Sequence, residues 1–364
     1  MKGNIKGTRI FGEIKCVKIL GSSTAFPEPL TLPNGEKLAN VTNEYIFEML
    51  MGKNYLEVLT KIGMSPEHPE KVVGLKNRKW THLVGTPTNH NEENMVDLGV
   101  KAGKKLLEKL NLSTDDIDFT IVSSTTPHKT TTSSACAIAD GIGIKSPCID
   151  IKAGCTSGLY ALLTAFSYVR SGFDRVLLIA SETPSKYANP KIKETVMSVG
   201  DGAIAILLEK TDENIGIIAG ALGADGELGK LVQTPGLLPP TKEAIENEMY
   251  FYQGDSDALK EVVPPRYIDG MMSALKMANL STNEIDLYVP HQINKLLTTK
   301  VCEKMGIPLE KQFYNMSKYG NLAGASVLVA LHDAMEENLI KKDSKVALNV
   351  VGGGLTWGAI LLGF

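Results

Sequence analysis

The stretch Cys148–Arg170, CIDIKAGCTSGLYALLTAFSYVR, carries the reading from which the fold follows. A short apolar run with Ile149 and Ile151 passes through Ala153-Gly154 into Cys155. Leu159, Leu162, Leu163, Phe166 and Val169 then recur at the spacing of one buried helical face. The sequence therefore predicts a strand, a turn of small residues and a helix, with Cys155 at the helix N-terminus. Unpaired N–H groups and the positive end of the helix dipole there favour a thiolate. The small neighbours Gly154, Thr156, Ser157 and Gly158 leave room for a substrate carbonyl. A lone cysteine is more often a small buried residue than a nucleophile, so the weight falls on what surrounds it.

Working outward, the same pattern occurs twice. Asn111–Ser124 reads NLSTDDIDFTIVSS and Asn279–Gln292 reads NLSTNEIDLYVPHQ, sharing N-L-S-T and I-D at matching places. RVLLIASE from Arg175 recurs in character as KVALNVVGGG from Lys345 at nearly the same separation, which points to a duplicated unit. Each half alternates strands with helices, implying a mostly parallel sheet covered on both faces. The halves are expected at 1–210 and 211–364, with an insertion near 47–73. Strands are expected at Lys15–Leu20, Asp118–Ser123, Arg175–Ala180 and Gly202–Glu209. Helices are expected from Asn43 after Thr42, over Asn94–Leu110, over Thr130–Ile142 and from Pro265 to Ala278. The Pro-rich stretch Lys230–Pro265 reads as an irregular, lid-like connection.

Composition excludes several classes. With 38 basic against 41 acidic side chains the net charge is −3, giving no case for a nucleic acid or an anionic membrane as partner. The five cysteines are odd in number and lack C-x-x-C or Cys/His spacing, which argues against a disulfide framework and against a metal site. The N-terminal MKGNIKGTRIFGEIK has neither a long apolar core nor a cleavage site, so a cytosolic protein without a membrane span is expected. Gly352–Gly354 lacks the Gly-Lys-Ser/Thr ending of a phosphate-binding loop.

Three further segments complete a constellation. Tyr288–Asn294, YVPHQIN, puts His291 at a strand end; Gly320–Ser326, GNLAGAS, puts Asn321 before a small-residue helix; Gly352–Gly354 makes a tight turn ahead of Leu355-Thr356-Trp357-Gly358. Taken singly these read as a structural histidine, an N-cap and a bulge. Together they fit acyl transfer to a thiolate, followed by decarboxylation of a second thioester whose enolate needs two neutral donors at its oxygen.

With SVGDGAIAILLE at Ser198–Glu209 and the terminal WGAILLGF, these motifs resemble the thiolase superfamily of condensing enzymes, and most closely the beta-ketoacyl-acyl-carrier-protein synthase III family, over about residues 74–364. The resemblance implies an α/β, thiolase-like five-layer αβαβα fold of two pseudo-duplicated halves, and a homodimer. It implies Cys155 as acyl acceptor, His291 with Asn321 as the decarboxylation pair, and an oxyanion hole from the Cys155 and Gly353 backbone amides. Acyl-coenzyme A or acyl-carrier-protein and malonyl thioesters would be the substrates, acyl carrier protein the partner, with no cofactor.

Departures fall on the substrate side. Where the family clasps the coenzyme A adenine with Trp and Arg, this chain offers Tyr45 and no arginine until Arg78. Leu296, with Lys295 beside it, replaces an Arg two residues after Asn294 that faces the phosphopantetheine entrance. Lys186 stands where Arg is usual. The place where the bacterial archetype keeps a bulky Phe that limits the acyl pocket falls near Thr130, in the small-residue run Thr130–Ser134, so a longer acyl group is expected. Rival readings are a specialised enzyme for an alkylresorcinol, quinolone or polyketide, an acyltransferase to oxygen or nitrogen, a non-catalytic partner subunit, and a cysteine protease. Retention of His291 and Asn321 speaks against the acyltransferase, and an intact Cys155 against the partner subunit; against the protease, no cleft motif occurs and the spacing is set by a duplication.

Overall fold

The computed structural model describes residues 3–88 and 91–364. In the first sheet β1 (Val17–Ala25), β2 (Phe119–Ser123), β3 (Cys148–Ile151), β4 (Arg175–Glu182) and β5 (Gly202–Lys210) lie in the order β1-β5-β4-β2-β3. Strands β4, β2 and β3 run parallel, and β5 runs antiparallel to both neighbours. In the second sheet β6 (Gly216–Ala224), β7 (Leu287–Pro290), β8 (Lys345–Gly352) and β9 (Thr356–Gly363) lie in the order β6-β9-β8-β7, with the same relative directions. Beyond β7 the third parallel strand shrinks to a single bridge between Tyr288 and Gln312. The start of the chain crosses over: Arg9–Phe11 pairs with the outer edge of β6, Arg9 opposite Leu222 and Phe11 opposite Gly220.

The central strands are continuous apolar runs because both faces are covered. Val176 to Glu182 of β4 and Val346 to Gly352 of β8 are all buried. Helices α1 (Asn43–Met51) and α2 (Tyr55–Lys61) precede the main layers. Helices α3 (Met95–Leu110) and α4 (Ser134–Ile142) cover the outer face of the first sheet, Leu98, Ala102, Leu106 and Ile138 meeting Leu177, Ile179 and Leu207. Between the sheets lie α5 (Ser157–Ser171) and α8 (Ser326–Glu336). Leu162, Phe166, Leu328 and Leu331 there pack with Leu178 and Ile206 on one side and Val289, Leu348 and Ile360 on the other. Helices α6 (Ser256–Ala278) and α7 (Lys295–Met305) cover the far face through Met271, Leu275, Val301 and Met305. The result is the α/β five-layer αβαβα arrangement.

Two helix starts differ from the sequence reading. Helix α4 begins at Ser134, four residues beyond Thr130, because the Ser133 hydroxyl caps the Cys136 N–H at 3.2 Å. Helix α6 begins at Ser256, capped by Asp255 on Ala258 at 3.0 Å, and runs through Pro264 and Pro265. Each proline removes a bond to the carbonyl four residues earlier. Those carbonyls belong to Lys260 and Glu261, both exposed residues.

The segment around 47–73 continues α1 into α2 and a turn at Pro69–Val73. With its neighbours it covers a satellite core of Val41, Ile46, Trp80, Val84, Ala188, Val196 and Val199. Beside this core Arg78 is wholly buried and donates to Asn43 Oδ1 at 2.8 Å, to the Val41 carbonyl at 3.3 Å and to the Met197 carbonyl. Pinned in this way it is unavailable to clasp an adenine. Arg78→Ala leaves buried acceptors without donors and is expected to lower the free energy of unfolding by about 3 kcal/mol in urea titrations.

Candidate active site

Cys155 sits in a turn at the carboxyl end of β3, one residue ahead of Thr156, which occupies the N-cap position of α5 without capping it through its side chain. The turn packs backbone to backbone against the loop after β8. Gly154 has φ +58°, and a Cβ there would stand 2.1 Å from the Gly353 carbonyl oxygen; one on Gly352 would stand 2.5 Å from the Cys155 nitrogen. The hydroxyls of Thr156 and Thr356 meet at 2.7 Å, and Thr356 donates to the Ala153 carbonyl at 2.9 Å, tying the two loops together. Gly154→Ala is expected to slow acylation of Cys155 more than about a hundredfold with an unchanged circular dichroism spectrum, since it forces apart the loops that bring two amides to one atom.

Those amides, the N–H groups of Cys155 and Gly353, both act on the sulfur and favour its anion. They do not prevail. Burial, and next the charge of Glu182, push the thiol up to about 12. The expectation of a thiolate is thereby corrected: burial and the neighbouring carboxylate outweigh the two amides and favour the thiol.

His291 follows Pro290 at the carboxyl end of β7 and is anchored by its N–H to the Asn349 carbonyl at 2.8 Å. Asn349 lies on the adjacent strand β8, three residues before the Gly352 that touches Cys155. The imidazole is completely buried, and among the described residues neither ring nitrogen has a hydrogen-bond partner. Burial alone pushes its pKa down to about 3, so the ring is neutral at physiological pH. The Tyr267 phenol spans the two groups, standing 3.5 Å from the His291 carbonyl and within electrostatic reach of Cys155.

Asn321 is fixed on both sides of its backbone, donating to the Ser198 carbonyl at 2.7 Å and accepting from Gly200 at 3.0 Å. Its Oδ1 accepts from the Ala323 N–H at 2.9 Å and the Ser326 hydroxyl at 3.3 Å. The oxygen being engaged, Nδ2 is the end left to donate. The turn then meets the Cys155 helix directly, a Cβ on Gly158 falling 2.3 Å from the Gly324 carbonyl. All three segments thus lie at carboxyl ends of parallel strands or on the central helices that begin there.

The residues expected on the substrate side are placed less favourably. Tyr45 packs against the satellite core. Lys186 is paired with Glu92 at 3.0 Å, which also holds the His82 ring at 3.0 Å. The Asn294 side chain caps α7 by accepting from Leu297 at 3.1 Å, while Lys295 and Leu296 are exposed on its first turn. Thr130 is exposed in the loop before α4, so within one chain it does not wall the acyl site. Nearer the sulfur stand groups the sequence reading passed over. Glu182, the last residue of β4, is wholly buried, and the Tyr252 phenol lies among Thr125, Glu182 and Cys155. A carboxylate closing the buried run RVLLIASE was a legible signal; Tyr252, within the irregular connection, gave none.

A family description for 3-oxoacyl-[acyl-carrier-protein] synthase III matches residues 149–226, and one for its C-terminal part matches 275–364. The beta-ketoacyl-[acyl-carrier-protein] synthase III of Natranaerobius thermophilus is 36% identical over 297 residues, covering 79% of this chain and 88% of that protein. The corresponding protein of Clostridium perfringens is 36% identical over 276 residues, covering 74% and 85%. The crystal structure of 3-oxoacyl-[acyl-carrier-protein] synthase III from Aquifex aeolicus superposes with a TM-score of 0.79 at 27% identity, covering 96% of this chain and all of that one.

Proposed function

The chain belongs to the beta-ketoacyl-acyl-carrier-protein synthase III family, and from that premise we propose how its own residues carry the condensation. The reaction joins an acyl thioester primer to malonyl-acyl carrier protein with loss of carbon dioxide. The neutral His291 ring takes the thiol proton as the Cys155 sulfur attacks the primer carbonyl. The Cys155 and Gly353 amides hold the resulting oxyanion, and the thiol of the carrier departs with the proton. Malonyl thioester then loses carbon dioxide. Its enolate oxygen is held by His291 N–H and Asn321 Nδ2–H, and its carbon attacks the acyl-cysteine to form the carbon–carbon bond, releasing the sulfur.

The observation that carries this reading is the pair of uncharged donors: an imidazole kept neutral by burial, and an amide whose oxygen is already engaged. Acyl transfer to oxygen or nitrogen would need a base but no such pair. The thioesters themselves supply the leaving groups, so no cofactor enters the scheme. We read the chain as two related halves, 1–210 and 211–364, the first lending its opening strand to the sheet of the second. A homodimer formed along β3 suits the outer edge of the first sheet, where Cys148, Ile149 and Ile151 are only half-buried. No helix among the described residues is long and apolar enough to cross a membrane, in keeping with a cytoplasmic enzyme.

The test is to offer labelled malonyl-acyl carrier protein with a pool of acyl-coenzyme A and acyl-carrier-protein primers, and to identify the product by mass. A beta-ketoacyl-carrier-protein product longer than its primer by two carbons is expected. A free ester or amide would replace this reading with the transferase alternative.

A further inference from the structure

The Glu182 carboxylate is wholly buried at the end of β4 and faces two loops, Ser124–Thr126 and the turn at Gly324 that packs on the first turn of the Cys155 helix. On one side it accepts from the N–H groups of Thr125 at 2.9 Å and Thr126 at 3.1 Å, and from the hydroxyls of Thr125 at 3.0 Å, Thr126 at 2.6 Å and Ser124 at 3.3 Å. On the other side it accepts from the Gly324 N–H at 3.2 Å, three residues beyond Asn321. The approach requires glycine, because a Cβ on residue 324 would stand 2.8 Å from Glu182 Oε1 and 2.2 Å from Ser157 Oγ. That serine belongs to the first turn after Cys155, and its buried hydroxyl has no hydrogen-bond partner among the described residues.

We propose that Glu182 is a positioning residue for decarboxylation: by spanning Ser124–Thr126 and Gly324 it sets the place of the Asn321 amide relative to the Cys155 sulfur. A buried carboxylate is costly unless its lone pairs are filled, and here every partner is an uncharged donor. Both oxygens must accept. Glutamine would turn an NH2 group toward donors on one side. Aspartate keeps the charge but is one methylene too short to reach both loops. Burial pushes the Glu182 carboxyl itself up to about 7, so its charge is present above that pH, where it is the second cause of the raised thiol pKa and gives a separate handle. The titratable groups facing Glu182 are Cys155, Tyr187 and Tyr252.

The experiment measures three quantities in Glu182→Gln and Glu182→Asp: acylation of Cys155 by intact mass, carbon dioxide release from malonyl-acyl carrier protein, and the pH dependence of alkylation by iodoacetamide. Both variants are expected to lose decarboxylation about tenfold to a hundredfold while acylation stays within about threefold, the cost of a displaced catalytic amide. The alkylation profile should move to lower pH in E182Q and stay in place in E182D. Decarboxylation and acylation falling by one common factor, or decarboxylation unchanged in both, would overturn the inference. Should E182Q fail to fold, Thr126→Val removes the shortest anchor and leaves the carboxylate; the same selective loss, about threefold to tenfold, is then expected, and its absence counts against the proposal. The inference rests on the role given to Asn321, so Asn321→Ala is measured alongside: retained decarboxylation there defeats that role, whereas its loss with intact E182Q and E182D activity defeats only the part given to Glu182.

Discussion

Cys155→Ala is expected to yield a folded protein that takes up no acyl group, with condensation reduced by at least about 10⁴-fold. The substitution deletes one sulfur at a half-buried site and leaves the loops that present it tied by the threonine pair, so little stability is at stake. Intact mass after incubation with an acyl-coenzyme A reads the result directly. Decarboxylation of malonyl-acyl carrier protein should continue in this variant, because the donors assigned to the enolate remain. Acylation persisting at any other cysteine, with product still formed, would remove Cys155 from the reaction.

The second large effect concerns His291 and Asn321, which the sequence alone would give one shared role, sparing acylation when either is lost. The raised thiol separates them. A sulfur with its pKa pushed up to about 12 needs a base to become a nucleophile, and the scheme proposed above gives that task to the neutral imidazole, neither of whose ring nitrogens has a hydrogen-bond partner among the described residues. His291→Ala is therefore expected to slow acylation about a hundredfold and condensation about 10³-fold or more. Asn321→Ala should leave acylation untouched and lower condensation about 10²- to 10³-fold. Parallel assays of acyl-enzyme formation and carbon dioxide release distinguish the two patterns. Acylation falling in N321A as far as in H291A would show that the amide serves the first step as well.

Much of this arrangement was legible beforehand for a physical reason. Strands β4 and β8 are covered on both faces and so read as unbroken apolar runs, while the turns at Gly154 and Gly352 need glycine for a backbone contact that no side chain permits. Local signals of that kind survive in the letters. What did not survive depends on partners distant in sequence. Lys186 reads as a free cation until Glu92 is found beside it. Arg78 reads only as the first arginine after Tyr45 until Asn43 and Met197 are found to enclose it. The Cys155 helix end promised an anion because a dipole can be inferred from sequence, whereas the exclusion of water, and the folding of a legible Glu182 to within reach of that sulfur, cannot. Pro264-Pro265 suggested a helix start, yet the decisive residue was Asp255, whose side chain caps the turn nine residues earlier.

The crossing of Arg9–Phe11 to β6 bears on any attempt to dissect the molecule. A fragment expressed from residue 211 onward would present the outer margin of β6 as an open template for other chains, the usual route to intermolecular strand addition and precipitation. Supplying the first fifteen or so amino acids as a separate peptide should close that margin, because Ile14–Lys15 adds a further short pairing to the same strand. Solubility of the fragment with and without the peptide thus becomes a direct gauge of how tightly the molecule's beginning fastens its end.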